Sequence, residues 1–185
     1  MRKVLFLLGG MVLSVAAGCN PPKSNGIGPE NNNANANSTQ HVGADPGAKT
    51  PPENVVTTSA AEVQLKPGGT ADAKVSLAIA DTYHVHANPA TLKNLIATTL
   101  TVTAPPGFKI DTPVYPPGQT MKFSFDDKPL SVYAKTAEIS VRVHADAKQA
   151  VGVVNVPAKL RYQACDDTAC YPPKTIDVSI PVSVK

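Results

Sequence analysis

The stretch Thr175-Ile176-Asp177-Val178-Ser179-Ile180-Pro181-Val182-Ser183-Val184 alternates apolar and polar residues up to the end of the chain. Successive side chains of a strand point to opposite faces, so Ile176, Val178, Ile180, Val182 and Val184 share one face. One face dry and one wet is the pattern of an antiparallel sheet covering a core. The alternation recurs upstream. Val154, Val156, Ala158, Leu160 and Tyr162 share a face, as do Ile139, Val141 and Val143, and Ala73, Val75, Leu77 and Ile79. Shorter strands are predicted at Val63–Leu65, Ile96–Val102 and Met121–Phe125. Between them stand the turn formers Lys66-Pro67-Gly68-Gly69, Ala104-Pro105-Pro106-Gly107 and Tyr115-Pro116-Pro117-Gly118. No segment shows a helical period with caps. This pattern predicts an all-β fold, an immunoglobulin-like antiparallel β-sandwich, over residues 55–185. The absence of Trp excludes the antibody-type core of a cysteine pair packed on Trp. Pro157 and Pro181 fall inside strand patterns and are expected at edges or bulges, where a missing N–H breaks no ladder bond.

Working toward the amino terminus, residues 20–54 are dominated by Asn, Pro, Gly, Ala and Ser, with the low-complexity run Asn31-Asn32-Asn33-Ala34-Asn35-Ala36-Asn37. So few large apolar groups cannot offset ordering entropy, and the segment is predicted to be a disordered tether. At about 35 residues, a flexible coil spans roughly 30 Å. Before it, Arg2 and Lys3 precede the apolar run Val4–Ala17, which is too short to span a bilayer comfortably. Residues 1–19 therefore read as a lipoprotein signal peptide ending in the lipidated cysteine of Val15-Ala16-Ala17-Gly18-Cys19. Ordinary cleavage after Ala17 is the competing reading. Lipidation is favoured because it also accounts for the odd one of three cysteines. Either reading exports the protein to a compartment where disulfides form. Asn20 carries no strong inner-membrane retention signal, so a lipid anchor in the outer membrane, facing the periplasm, is slightly favoured.

The formal charge is +3, and without Arg2 and Lys3 fifteen basic residues face fourteen acidic ones. No run of Lys or Arg remains, which argues against nucleic acid as a partner.

The two remaining cysteines lie in Tyr162-Gln163-Ala164-Cys165-Asp166-Asp167-Thr168-Ala169-Cys170-Tyr171-Pro172-Pro173. In an exported domain Cys165 and Cys170 are expected to meet, since four intervening residues permit a turn within disulfide range. Such a small loop removes little unfolded-state entropy, about 2 kcal/mol. Spacing alone leaves a redox pair and a structural loop clip equally open. If the strand of Leu160 and Tyr162 continues, Cys165 shares the parity of Lys159, Arg161 and Gln163 and its sulfur leans to the polar side. Asp166 and Asp167 should raise the thiol pKa by repelling a thiolate, while Arg161 and Lys174 act in the opposite direction. Tyr162 and Tyr171 bracket the pair as candidates for shielding the sulfurs, with core packing the equal alternative.

The run Tyr-Gln-Ala-Cys-x4-Cys-Tyr-Pro-Pro resembles the signature of the amino-terminal periplasmic domain of the thiol:disulfide interchange protein DsbD. The resemblance covers about residues 58–185 and implies an immunoglobulin-type fold. A second match, Tyr83-His84-Val85-His86-Ala87-Asn88-Pro89, adds His84 and Asn88 as support candidates. Phe125–Tyr133 falls where the family carries a cap loop over the disulfide, although its glycine-aromatic pattern is not reproduced. The resemblance implies that a thioredoxin-like donor or membrane thiol reductase reduces Cys165–Cys170 by disulfide exchange. The domain would then reduce periplasmic thioredoxin-fold acceptors, with Cys170 forming the mixed disulfide and Cys165 resolving it. No cofactor is required. Family members continue into a membrane conduit and a thioredoxin domain, so a chain ending at Lys185 is expected to receive electrons from a separate protein.

Two other readings stand beside this one. The first is a non-catalytic, lipid-anchored binding module with a structural loop disulfide. The second is a copper-handling lipoprotein. His84 and His86 would share a strand face and could hold copper with Met121 or the thiols, unless the segment is a turn.

Overall fold

The computed structural model describes residues 53–185. The expectations for residues 1–19, including Cys19, and for nearly all of the 20–54 tether lie outside the described residues. Within them the structure is all strand and loop, with three four-stranded sheets.

Two sheets form the sandwich. The first joins β1 (Val56–Ala60), β3 (Thr70–Ile79), β9 (Thr136–Ala145) and β6 (Phe108–Ile110), in that order. The second joins β2 (Val63–Leu65), β12 (Lys174–Val184), β10 (Gly152–Tyr162) and β5 (Thr99–Val102). Alternation in the four long strands decides their faces. Val75, Leu77, Ile139, Val141 and Val143 from one sheet meet Val156, Leu160, Ile180 and Val182 from the other in one continuous core. Each such side chain contributes about 1.5–3 kcal/mol by leaving water. The sandwich is therefore immunoglobulin-like, as the alternation predicts.

The turn residues act locally. Between β2 and β3, the Gly69 N–H donates to the Lys66 carbonyl at 2.8 Å, with Gly68 at φ 73°. Pro at the second position and a left-handed Gly at the third make this a type II turn.

Pro157 is placed by its missing donor. The Thr103 N–H donates to the Pro157 carbonyl at 2.9 Å, and Pro157 has no N–H to return. The β5–β10 ladder, which begins at Arg161↔Thr99, stops at Ala158↔Val102, one residue short of that proline. Pro181 similarly sits one residue before the β2–β12 pairing, which starts at Val182↔Val63.

Several expectations differ from what is found. The β2–β12 pair is parallel, so the sandwich is not wholly antiparallel. The strand expected over Ile96–Val102 is confined to Thr99–Val102. The strand expected over Met121–Phe125 instead ends at Met121, as β7 (Gln119–Met121). Tyr115–Gly118 is not a turn. It runs without assigned structure along the third sheet, because consecutive prolines favour an extended chain and Pro116 O accepts the Tyr133 hydroxyl at 2.9 Å. Gly118 is needed for close approach, since a Cβ there would lie 2.6 Å from Ala87 Cβ.

The third sheet was not foreseen. It orders β11 (Ala164–Cys165), β4 (His84–His86), β8 (Leu130–Ala134) and β7. A satellite core of Phe123, Leu130 and Val132 packs with it. This sheet carries the cysteines.

Candidate redox site

Tyr162 ends β10 in the core of the sandwich. The chain then changes sheets. Gln163 sits at the crossing: its Nε2 donates to the Tyr171 carbonyl at 3.1 Å, and its Oε1 accepts the Ile96 N–H at 3.4 Å. Ala164 and Cys165 then pair with Val85 and His84 of β4. The parity inherited from β10 no longer applies after this change. Cys165 is consequently fully buried rather than turned to the polar side.

Cys165 and Cys170 are joined in a disulfide, with Cα atoms 4.0 Å apart. The pair closes a tight hairpin. The Asp166 N–H donates to the Ala169 carbonyl at 2.9 Å, and the Tyr171 N–H to the Ala164 carbonyl at 2.8 Å. Asp166 organises the loop from inside. Its Oδ1 accepts the Thr168 hydroxyl at 2.7 Å and the N–H groups of Thr168 and Ala169 at 2.8 and 2.9 Å. Its Oδ2 accepts the Tyr171 hydroxyl at 2.5 Å. An Asp accepting N–H groups two and three residues on is the side-chain mimic of a backbone turn. The Tyr171 hydroxyl, then Thr168 and the two N–H groups, hold the Asp166 carboxyl well below the usual range. The same contact pushes the Tyr171 phenol up to about 12.

Beneath the hairpin lies His86, fully buried. Its Nε2 is 3.5 Å from Cys165 Sγ and 3.8 Å from Cys170 Sγ. A disulfide sulfur has no proton, so a hydrogen bond at this contact must be donated by the imidazole. Burial lowers the His86 pKa, which favours the neutral ring. Its Nδ1 is buried without a hydrogen-bond partner among the described residues. Cys170 is half-buried, so of the two sulfurs' residues it is the more accessible.

His84 and His86 belong to a strand, not a turn. His84 stacks on Phe123, with ring centroids 3.9 Å apart and planes at 15°, and Phe125 lies beyond. Its pKa is lowered to about 4, chiefly by burial and then by His86. Phe123, Ser124 and Phe125 belong to the loop between β7 and β8. The Ser124 hydroxyl donates to the Asp167 carbonyl at 2.7 Å, fastening this loop to the cysteine hairpin. Lys122 Nζ closes the loop on the carbonyls of Asp126 and Asp127. The loop is thereby fastened to the hairpin through Ser124 and to His84 through Phe123, just before the segment where the family's cap loop falls.

Of the other candidates, Tyr171 contacts the hairpin through Asp166 and tilts against Tyr83 at 6.1 Å. Asn88 bonds elsewhere: its N–H donates to the Tyr133 hydroxyl at 3.1 Å and its Nδ2 to the Thr98 carbonyl at 2.9 Å. Sequence reasoning missed three features: His86 at the sulfurs outside the copper reading, Asp166 in the loop and Phe123 over His84. The Asp-x-Thr-Ala pattern was a readable signal for the second. His86 and the two sulfurs also form a set of potential metal donors within 4.8 Å of one another, although the sulfurs are now bonded together.

Residues 52–181 match the family model described as thiol:disulfide interchange protein DsbD, N-terminal. No curated protein matches the chain. The reduced DsbD N-terminal domain of Neisseria meningitidis is similar, at 21% identity over 72% of this chain and 90% of that one, with a TM-score of 0.42. A complex of the DsbD and PilB N-terminal domains from the same organism is matched at 19% identity over 70% of this chain and 84% of that one, TM-score 0.44. The N-terminal periplasmic domain of ScsB from Proteus mirabilis is matched at 12% identity over 75% of this chain and 50% of that one, TM-score 0.44. Since the family match takes in nearly the whole sandwich and both joined cysteines, the chain belongs to the family of the N-terminal domain of the thiol:disulfide interchange protein DsbD.

Proposed function

We propose that the domain passes electron pairs by disulfide exchange through Cys165 and Cys170, from a thioredoxin-like donor to thioredoxin-fold acceptors in the periplasm. The supporting observation is the asymmetry of the pair, with Cys165 buried against His86 and Cys170 half-buried beside it. A donor thiolate attacks Cys170 Sγ in line, forming a mixed disulfide and expelling Cys165 as thiolate. The His86 Nε2–H is in place to stabilise that leaving sulfur. The donor's second thiol then releases Cys170, leaving the domain two electrons and two protons richer. In the forward direction Cys170 attacks the acceptor disulfide, and Cys165 displaces the reduced acceptor by re-forming the bond. Tyr171, bonded to Asp166, and the β7–β8 loop, tied to the hairpin through Ser124, act as a cap that limits access from the sides. Export through residues 1–19, lipidation at Cys19 and the 20–54 tether would hold residues 55–185 on the outer membrane, facing their partners.

The test is a Cys165→Ala variant mixed with a thioredoxin-fold protein in its disulfide form. The expected product is a stable mixed disulfide through Cys170, absent from Cys170→Ala. Failure to trap, together with a reduction potential far below about −300 mV, would make the bridge a loop clip instead.

A further inference from the structure

Reduction would leave three soft or borderline donors pointed at one place. His86 Nε2, Cys165 Sγ and Cys170 Sγ already lie within 4.8 Å of one another. An ion in trigonal geometry, bonded at about 2.3 Å to sulfur and about 2.0 Å to nitrogen, needs N···S separations of about 3.7 Å. The two separations are 3.5 and 3.8 Å. The imidazole is therefore already positioned, and only the sulfurs need to move apart, to about 4 Å. Breaking the bond between them permits that.

We propose that the dithiol form of the domain binds a thiophilic d10 metal ion, copper(I) in preference to zinc(II), through Cys165, Cys170 and His86. This rests on the disulfide being reducible, as the exchange reading requires. Thiolates select copper(I) and zinc among available metals. The number of donors separates the two. Closed zinc sites take four protein ligands, and the described cluster offers three. The neighbouring histidine, His84, is not part of that donor cluster. Cys165 and His86 are fully buried, leaving little room on their side for a water ligand.

The chemistry balances without a change in metal oxidation state. A dithiol donor supplies two electrons and two protons, turning the S–S bond into two S–H groups. Copper(I) then forms two Cu–S bonds and one Cu–N bond, and the two thiol protons pass to solvent. Ligation through Nε2 moves the imidazole proton to Nδ1, which has no acceptor. The site is consequently weaker than one with an outer partner for that proton. With both sulfurs ligated, neither can attack a disulfide, so free copper(I) would brake electron delivery.

The test uses the full chain reduced with a phosphine, which removes any dependence on protein donors. Copper(I) is titrated in competition with a chromophoric chelator, and zinc(II) is titrated in parallel. The expected result is one copper(I) per reduced chain, none on the disulfide form, and zinc bound more weakly. X-ray absorption of the loaded wild type should show two sulfur and one nitrogen neighbours. His86→Leu should weaken binding by at least about tenfold. The absorption spectrum reads the imidazole directly if that variant misfolds. Copper bound equally by the oxidised chain or by Cys165→Ser/Cys170→Ser, zinc preferred over copper, or a shell without nitrogen would each overturn the proposal. A chain that resists the phosphine would instead count against the exchange reading.

Discussion

His84 is buried beneath Phe123, its Nε2 has no partner among the described residues, and burial with His86 nearby lowers its pKa to about 4. An unfolded histidine titrates near 6.5, so between these values the unfolded chain holds a proton that the folded chain does not. Stability from this residue is complete above about pH 6.5 and falls as pH drops toward 4, by about 3 kcal/mol at 1.36 kcal/mol per unit. Urea unfolding at pH 7.5 and 4.5 should show the loss, and His84→Phe should flatten the slope. His86 adds to the same window because its pKa is also lowered. Asp166 acts only below about pH 4, where its depressed carboxyl must be protonated. At this scale the sequence was partly readable. The cysteines could be picked out by their spacing and flanks. Which histidine reaches them could not, because in His84-Val85-His86 all three residues are buried and no polar face remains to orient the strand.

Legibility among the elements followed length. Strands β3, β9, β10 and β12 run ten or eleven residues and display their alternation several times over. Strands β4 and β11 have three and two residues, too few for any period, and they build the site. The polar-side placement of Cys165 depends on β10 continuing past Gln163, and β10 ends at Tyr162, where side-chain hydrogen bonds of Gln163 hold the chain as it crosses to another sheet. The β7–β8 loop is the element that the proposed mechanism makes a cap. Phe123 stacks on His84, and Ser124 is bonded to the hairpin carbonyl of Asp167. Phe123→Ala should therefore speed reduction of the disulfide by a small thiol such as glutathione. It should also cost about 3 kcal/mol, the low end for a buried Phe, since its cluster is small. The two effects separate in stopped-flow reduction and urea titration. An unchanged reduction rate in a folded variant would remove the cap from the account.

Across the whole molecule, the bridge ties a hairpin of the third sheet to itself and spans neither face of the sandwich. The core that joins the two large sheets contains neither cysteine. An electron carrier of the kind proposed must stay folded in both redox states, and this arrangement suits that. Reduction should lower unfolding stability by only about 2 kcal/mol, the loop-closure value, with the denaturant slope nearly unchanged. Equilibrium urea unfolding with and without phosphine measures it, and a loss well beyond that value would mean that the bridge supports the sandwich. The absence of Trp and the position of Tyr171 have a further consequence, which is optical. With no Trp, near-ultraviolet emission comes from five tyrosines, and one of them adjoins Cys170 while donating its hydroxyl to a carboxylate. Disulfides and carboxylates both quench phenol fluorescence, so opening the bridge should brighten the domain. Its redox state can then be followed by light, without a label.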